Sequence, residues 1–186
     1  MTEIEVKGLA FVNVVGAIEE ARGDAFKKRM IDAMPDDSRS ALRLGSVLAN
    51  GWYPVRWYRE LFAAAVAASR EPNLPRELGR ISVRRDVKGV HRLLFRIMSV
   101  ETLQAQGARF FKSYFKPSEV SVERVDRRSA RVYFSQCVGF DRNIWQEQLG
   151  GVEELLASCG VTSPRVLVLA GGGDQDTSMA IESRWR

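Results

Sequence analysis

Apolar positions recur with a helical period through the first two-thirds of the chain and with a strand period after Pro117. From Gly8, the residues Phe11, Val14, Val15 and Ile18 fall at i, i+3, i+4 and i+7, one face of a helix over 8–22 that Gly23 can end. A second helix is expected over 24–33, stopped by Met34-Pro35, and a short third one over 39–49 after the turn at Pro35-Asp36-Asp37-Ser38. Asn50-Gly51 breaks the chain before Trp52-Tyr53-Pro54-Val55-Arg56-Trp57-Tyr58, where Pro54 suits the first turn of a helix reaching about Ser69 with Leu61, Phe62, Ala65 and Val66 inward. The pattern over 75–84 is weakly helical. Val87, Val90, Leu94, Ile97 and Met98 predict a further helix, and Ser99 can cap another carrying Leu103, Phe110, Phe111, Tyr114 and Phe115.

Beyond Pro117 the period becomes two. Val120, Val122 and Val125 predict a strand whose alternation slips near Arg124. After the turn at 126–129, Ala130, Val132 and Phe134 face one way and Arg131, Tyr133 and Ser135 the other. Asp141 or Asn143 can cap a helix with Trp145, Leu149, Val152, Leu156 and Cys159 on one stripe, ended by Gly160. Val166–Leu169 reads as a nearly continuous apolar strand, 171–176 as a turn, and Met179, Ile181 and Trp185 as the inner face of a last strand. The expected fold class is therefore α+β. A helical amino-terminal two-thirds (1–117) packs on a carboxyl-terminal four-stranded antiparallel sheet of ββαββ order (118–186), in one domain.

Composition narrows this picture. The chain has 186 residues, 45% hydrophobic and 27% charged, which suits a soluble globular protein. Its amino terminus lacks the regions of a signal peptide, and its longest apolar run, Leu61 to Ala68, is too short for a membrane span. A reducing cytoplasm is the expected location. The net charge of +5 comes mainly from arginine, without the clustering of a nucleic-acid face, so no nucleic acid is expected as partner.

Candidate chemistry is thin. The single histidine, His91, and the absence of a Gly-x-Ser-x-Gly elbow argue against hydrolase and acyl-transfer arrangements, so no catalytic residue is assigned. Cys137 precedes a helix that could lower its pKa, or it is a small buried apolar side chain. Cys137 and Cys159 form no CxxC pair, and Asp174 and Asp176 make only half of a calcium loop, so no metal is expected. Arg85, Lys88, Arg92 and Arg96 can share one helix face, as a contact for an acidic partner or as a solvated surface. The rings of 52–58 can wall an apolar pocket, pin helices to the sheet or form a dimer patch. Gly150-Gly151 in mid-helix implies close approach of another backbone, from the sheet or a partner helix.

Tyr133-Phe134-Ser135-Gln136-Cys137, Gly139-Phe140 and Leu149-Gly150-Gly151-Val152 resemble the strand–loop–helix junction of a superfamily. It contains vinyl-4-reductase-type domains, TRAPP-complex subunits and haem nitric-oxide-binding domains. The early Gly8-Leu9-Ala10-Phe11 helix also fits it. The segment at 52–58 looks closest to a myxobacterial paralogous family of unknown function. The resemblance implies a helical front on a ββαββ half. Haem-binding relatives carry Tyr-x-Ser-x-Arg and a proximal histidine. Here Tyr133 and Ser135 match while Cys137 takes the arginine place, which removes a charge-matched partner for a carboxylate. The single histidine, His91, lies one turn before Phe95 on the expected 87–98 helix and is read as polar surface or pocket wall rather than as an iron ligand. On that basis no cofactor is expected, and haem is disfavoured.

These expectations favour a non-catalytic sensory or regulatory module. It would bind a small apolar ligand through Trp52, Tyr53, Trp57, Phe110, Phe111 and Tyr133, and signal through a homodimer or a partner protein. A ligand-free interaction or scaffold domain is the alternative, and a haem-based gas sensor a third reading.

Overall fold

The computed structural model describes residues 4–87 and 100–185. Its first strand, β1 (Glu5–Lys7), runs straight into α1 (Gly8–Arg22), and Phe11, Val14 and Ile18 are buried on the predicted face. No side chain caps α1. The Gly8 and Leu9 amides instead donate to the carbonyls of Gly51 and Ala49, each at 2.9 Å, so the loop before the aromatic segment satisfies the orphan donors of the first turn. Gly23 ends the helix at φ 82°, a conformation costly for other residues, and its amide bonds Glu19. α2 (Asp24–Asp32) follows as expected.

Two helices differ from their predicted bounds. α3 is Asp36–Arg43 rather than 39–49, because Asp36 and Asp37 serve as acidic first-turn residues against the helix dipole. The aromatic segment splits: Trp52–Pro54 is strand β2, and α4 (Val55–Ser69) begins after Pro54 rather than around it. β2 pairs antiparallel with β1, and β1 with β3 (Phe115–Lys116), giving a small sheet of order β2-β1-β3 that the sequence pattern did not reveal. Strands of two or three residues are too short to display a period.

α5 (Leu74–Val87) is longer than its pattern suggested, and α6 (Val100–Lys112) carries the expected Phe110 and Phe111. The predicted 87–98 helix, with His91, Lys88, Arg92 and Arg96, lies beyond Val87 outside the described residues.

The carboxyl-terminal part has the ββαββ order. β4 (Glu119–Asp126), β5 (Ser129–Ser135), α7 (Arg142–Ser158), β6 (Arg165–Gly171) and β7 (Met179–Arg184) form an antiparallel sheet of order β4-β5-β7-β6. Its register shifts between Arg124 and Asp126, where the alternation slips in the sequence. Asp141 caps α7 by accepting the Ile144 amide at 2.9 Å. Ala130, Phe134, Met179 and Ile181 are buried on the inner face. On the outer face of β5 and β7, Arg131 and Arg184 both donate to Glu182, at 3.1 and 2.6 Å.

Aromatic rings join the layers. Tyr58 meets Phe11 and Phe62 at 5.0 Å each and Phe115 at 6.1 Å. Phe140 meets Phe115 at 5.2 Å and Trp145 at 4.8 Å, in edge-to-face pairs.

α5 and α7 approach at reciprocal glycines. A Cβ on Gly150 would overlap the Arg76 carbonyl oxygen and come to 2.9 Å from its carbon; one on Gly79 would overlap the Glu147 carbonyl in the same way. Arg80 Nε donates to Glu153 at 2.7 Å, Arg76 also pairs with Glu153, and Arg84 makes a bidentate pair with Glu154 at 2.9 and 3.0 Å. The backbone that Gly150 requires is thus a helix, α5. At Gly151 a Cβ would stand 3.4 Å from a Val83 methyl, an ordinary contact. Gly150→Ala is expected to lower stability by about 2 kcal/mol or more, by forcing α5 and α7 apart, while Gly151→Ala is tolerated. Urea unfolding of both variants checks this, and equal stabilities would refute the close-approach account.

Candidate functional site

Between α1, α5, α6, α7 and the inner face of the sheet lies a cavity of about 150 Å³. Its walls are mainly apolar: Phe110 and Phe111 from α6, Val120, Val132 and Phe134 from the sheet, and Val152 and Leu156 from α7 are among them. Phe111 packs on Phe134 at 5.1 Å, and Phe110 on Tyr114 at 5.3 Å. Such a wall suits a flat, largely apolar occupant.

The polar part of the lining is acidic. Glu147 on α7 is 7% exposed, and Asp86 stands on α5. The Tyr58 hydroxyl donates to Glu147 Oε1 at a long 3.4 Å, and the Gln148 amide donates to Oε2. Burial pushes the Glu147 carboxyl up to about 8, against the opposing pull of those two donors. Burial also raises the Tyr58 phenol, helped by Glu147. Tyr114 donates to Asp86, and its phenol is raised by burial first and then by that bond. Ser82 on α5 and Ser183 on β7 also line the cavity, and the hydroxyl of each is buried without a hydrogen-bond partner. None of the described lining residues is Lys, Arg or His.

The residues singled out in the sequence fall in different places. Phe110 and Phe111 line the cavity; Trp52, Tyr53, Trp57 and Tyr133 do not. Tyr53 stacks on Trp57 at 5.7 Å, and its hydroxyl takes the Leu48 amide at 2.7 Å and donates to the Ser46 carbonyl at 3.0 Å. Trp52 lies under Lys7 and Lys116, at 4.8 and 4.1 Å. The segment therefore fastens the 46–51 loop to the small sheet, and Tyr58 is its residue that reaches the cavity. Tyr133 stands on the outer face of β5, 37% exposed, and donates to Glu123 at 2.9 Å. Alternation along β5 had already put it opposite Phe134. Arg85 pairs with Glu20 at 3.3 Å, while Lys88, Arg92 and Arg96 lie outside the described residues.

Cys137 is fully buried, and burial pushes its thiol up to about 12, opposite to activation by the following helix. Asp174 accepts the Arg142 amide at 3.0 Å and Asp176 the Gly173 amide at 2.8 Å, so both turn carboxylates are engaged by backbone.

Glu147, Asp86, Ser82 and Tyr58 were missed as cavity residues. The one available signal was a glutamate one turn before Gly150, on the face of α7 opposite the stripe of Trp145, Leu149 and Leu156.

No family model matches this chain, and no curated protein matches its sequence. Solved structures do resemble it. An Fe(II) unliganded H-NOX protein mutant from K. algicida has a TM-score of 0.72 at 15% identity, over 97% of this chain and 96% of that one. An oxygen-binding H-NOX domain related to soluble guanylate cyclases, in its oxygen complex, has a TM-score of 0.68 at 12% identity, over 97% and 95%. A structure concerned with heme redox potential and protein-induced porphyrin distortion has a TM-score of 0.67 at 13% identity, over 97% and 94%. The fold is thus that of the H-NOX, haem-NO-binding domains. The similarity supports that part of the expected resemblance and lends nothing to its vinyl-4-reductase or myxobacterial part.

These comparisons also overturn the expectation of no cofactor, because the similar structures are H-NOX domains and point to haem. That expectation leaned on Tyr133, Ser135 and Cys137 as a failed propionate cradle and on His91, the single histidine, which lies outside the described residues. Tyr133 and Ser135 are exposed, on the face of β5 away from the cavity, so the motif says nothing about the cavity itself.

The sign of the Glu147 effect on stability is fixed. Its carboxyl, ordinarily near 4.5, is raised to about 8 in the folded chain. Below pH 4.5 both states are protonated and there is no penalty. Between 4.5 and 8 the unfolded chain binds fewer protons, so stability falls as pH rises. Glu147→Gln is expected to flatten this slope, with a gain of roughly a few kcal/mol at pH 8 over wild type. Urea midpoints at pH 5, 6.5 and 8 check it, and parallel profiles would rule it out.

Proposed function

We propose that this chain is a non-catalytic sensory domain whose ligand occupies the cavity between α5, α6, α7 and the sheet. The observation that carries the reading is the cavity itself: apolar and aromatic walls, with a few buried polar groups that lack partners inside the protein. The H-NOX-like fold supports it, since its crystallographic counterparts include an oxygen-binding domain. A signal from such a domain passes to a partner protein or a second copy. A ligand-free scaffold would be expected to fill this space with side chains.

Haem is a second reading of the occupant, favoured by the comparisons. Phe110, Phe111 and Phe134 would face its macrocycle. Tyr58 and Tyr114 are the described lining residues of a type with precedent as an iron ligand in other haem proteins, and Tyr114 is the less buried of the two. Bound haem would supply the iron that takes a diatomic gas.

Two measurements test these readings. Native mass spectrometry of freshly purified protein is expected to reveal a retained organic ligand, and protein expressed with added haem is scanned for a Soret band that Tyr114→Phe shifts or removes. Independently, Ala130→Trp fills the cavity from β5 and is expected to weaken binding of 1-naphthalenemethanol by about tenfold or more, with the circular-dichroism spectrum unchanged. Undiminished binding in that variant would place the ligand elsewhere and overturn the cavity reading.

A further inference from the structure

One end of the cavity is chemically unlike the rest. Glu147 projects from α7, beside the turn of α5 that begins where Gly79 packs on the Glu147 backbone. Ser82 follows Gly79 by three residues on the same helix, so both belong to one face of α5. The groups facing this end are Tyr58 from α4, Ser82 and Asp86 from α5, Tyr114 after α6, and Gln148 beside Glu147. Among the described residues they comprise two carboxyls, two phenols, a hydroxyl and an amide, without a cation.

A carboxyl buried this deeply ordinarily has an ionic partner, because an unpaired charge in an apolar wall is costly. The other carboxylates on α7 follow that rule: Glu153 is held by Arg76 and Arg80, and Glu154 by Arg84. Glu147 departs from it. Among the described residues its hydrogen-bonding partners are neutral, one of them at 3.4 Å, and the Ser82 hydroxyl, which also lines the cavity, is unpartnered. A ligand bearing a basic nitrogen supplies the missing cation at Glu147 and leaves its apolar body against Phe110, Phe111 and Phe134.

We infer that Glu147 and Ser82 form a nitrogen-recognising subsite, and that the small-molecule ligand of this cavity is a hydrophobic amine. This rests on the cavity reading above and adds the class of ligand to it. An apolar carboxylate is disfavoured at the same end, where Asp86 stands and no cation is found among the described lining residues to receive it.

Three probes with one ring system separate the possibilities: 1-naphthylmethylamine, 1-naphthalenemethanol and 1-naphthoate, titrated calorimetrically into the full chain at pH 7. The amine is expected to bind about tenfold tighter than the alcohol, and the naphthoate weakest. In Glu147→Gln the amine is expected to lose its advantage over the alcohol, and the circular-dichroism spectrum and urea midpoint of the variant confirm that it is folded. Equal affinities for amine and alcohol in wild type overturn the amine subsite and leave the cavity reading standing. An amine preference that survives in Glu147→Gln also overturns it, because the nitrogen then sits elsewhere. Binding of none of the three probes overturns the cavity reading and the subsite together.

Discussion

The close packing of α5 on α7 is the constraint on which the rest of the structure depends. Two helices can approach backbone to backbone only where both lack a Cβ at the crossing, and Gly79 and Gly150 provide that, each against a carbonyl of the other helix. The approach sets the register of the flanking ion pairs, in which Arg76, Arg80 and Arg84 meet Glu153 and Glu154. It also places Ser82, Val83 and Asp86 opposite Glu147 and Gly151 along one wall of the cavity. The cavity therefore inherits its acidic end from a packing requirement.

Much of the fold was legible because long elements display a period. α1, α4, α7 and strands β4, β5 and β7 of the larger sheet follow their apolar alternation, and even the irregularity at Arg124–Asp126 is written in the spacing of Val120, Val122 and Val125. The small sheet was not legible, since β1, β2 and β3 draw on contacts between residues about fifty or more positions apart. α5 read as weak because Gly79 lowers helix propensity at its centre; tertiary contact with α7 outweighs that cost.

The candidate site was legible only in part. Phe110 and Phe111 follow from the seam of α6, but a cluster of rings between 52 and 58 drew attention to the wrong wall. Aromatic density does not distinguish a ligand wall from a fastening, and here Trp52, Tyr53 and Trp57 hold the 46–51 loop through a hydroxyl, a stacked ring and two lysines. Tyr133 illustrates a second failure. Similarity of letters suggested a role that strand parity contradicts, and parity is the firmer guide because it follows from backbone geometry. Glu147 was hidden for the opposite reason: an ionisable residue on the helix face away from the apolar stripe reads as solvent-exposed, yet the packing of α5 on that face buries it.

The sheet ends on β6, whose Leu167, Val168 and Leu169 are each about half exposed, and whose outer edge has no strand beside it among the described residues. An edge with unpaired peptide groups and apolar side chains on both sides behaves like the step of a growing crystal: it templates whatever extended chain arrives. β4, at the opposite edge, carries Glu119, Glu123 and Arg124, which discourage such addition. The fold is thus polarised across its sheet, with one border guarded by charge and the other left adhesive.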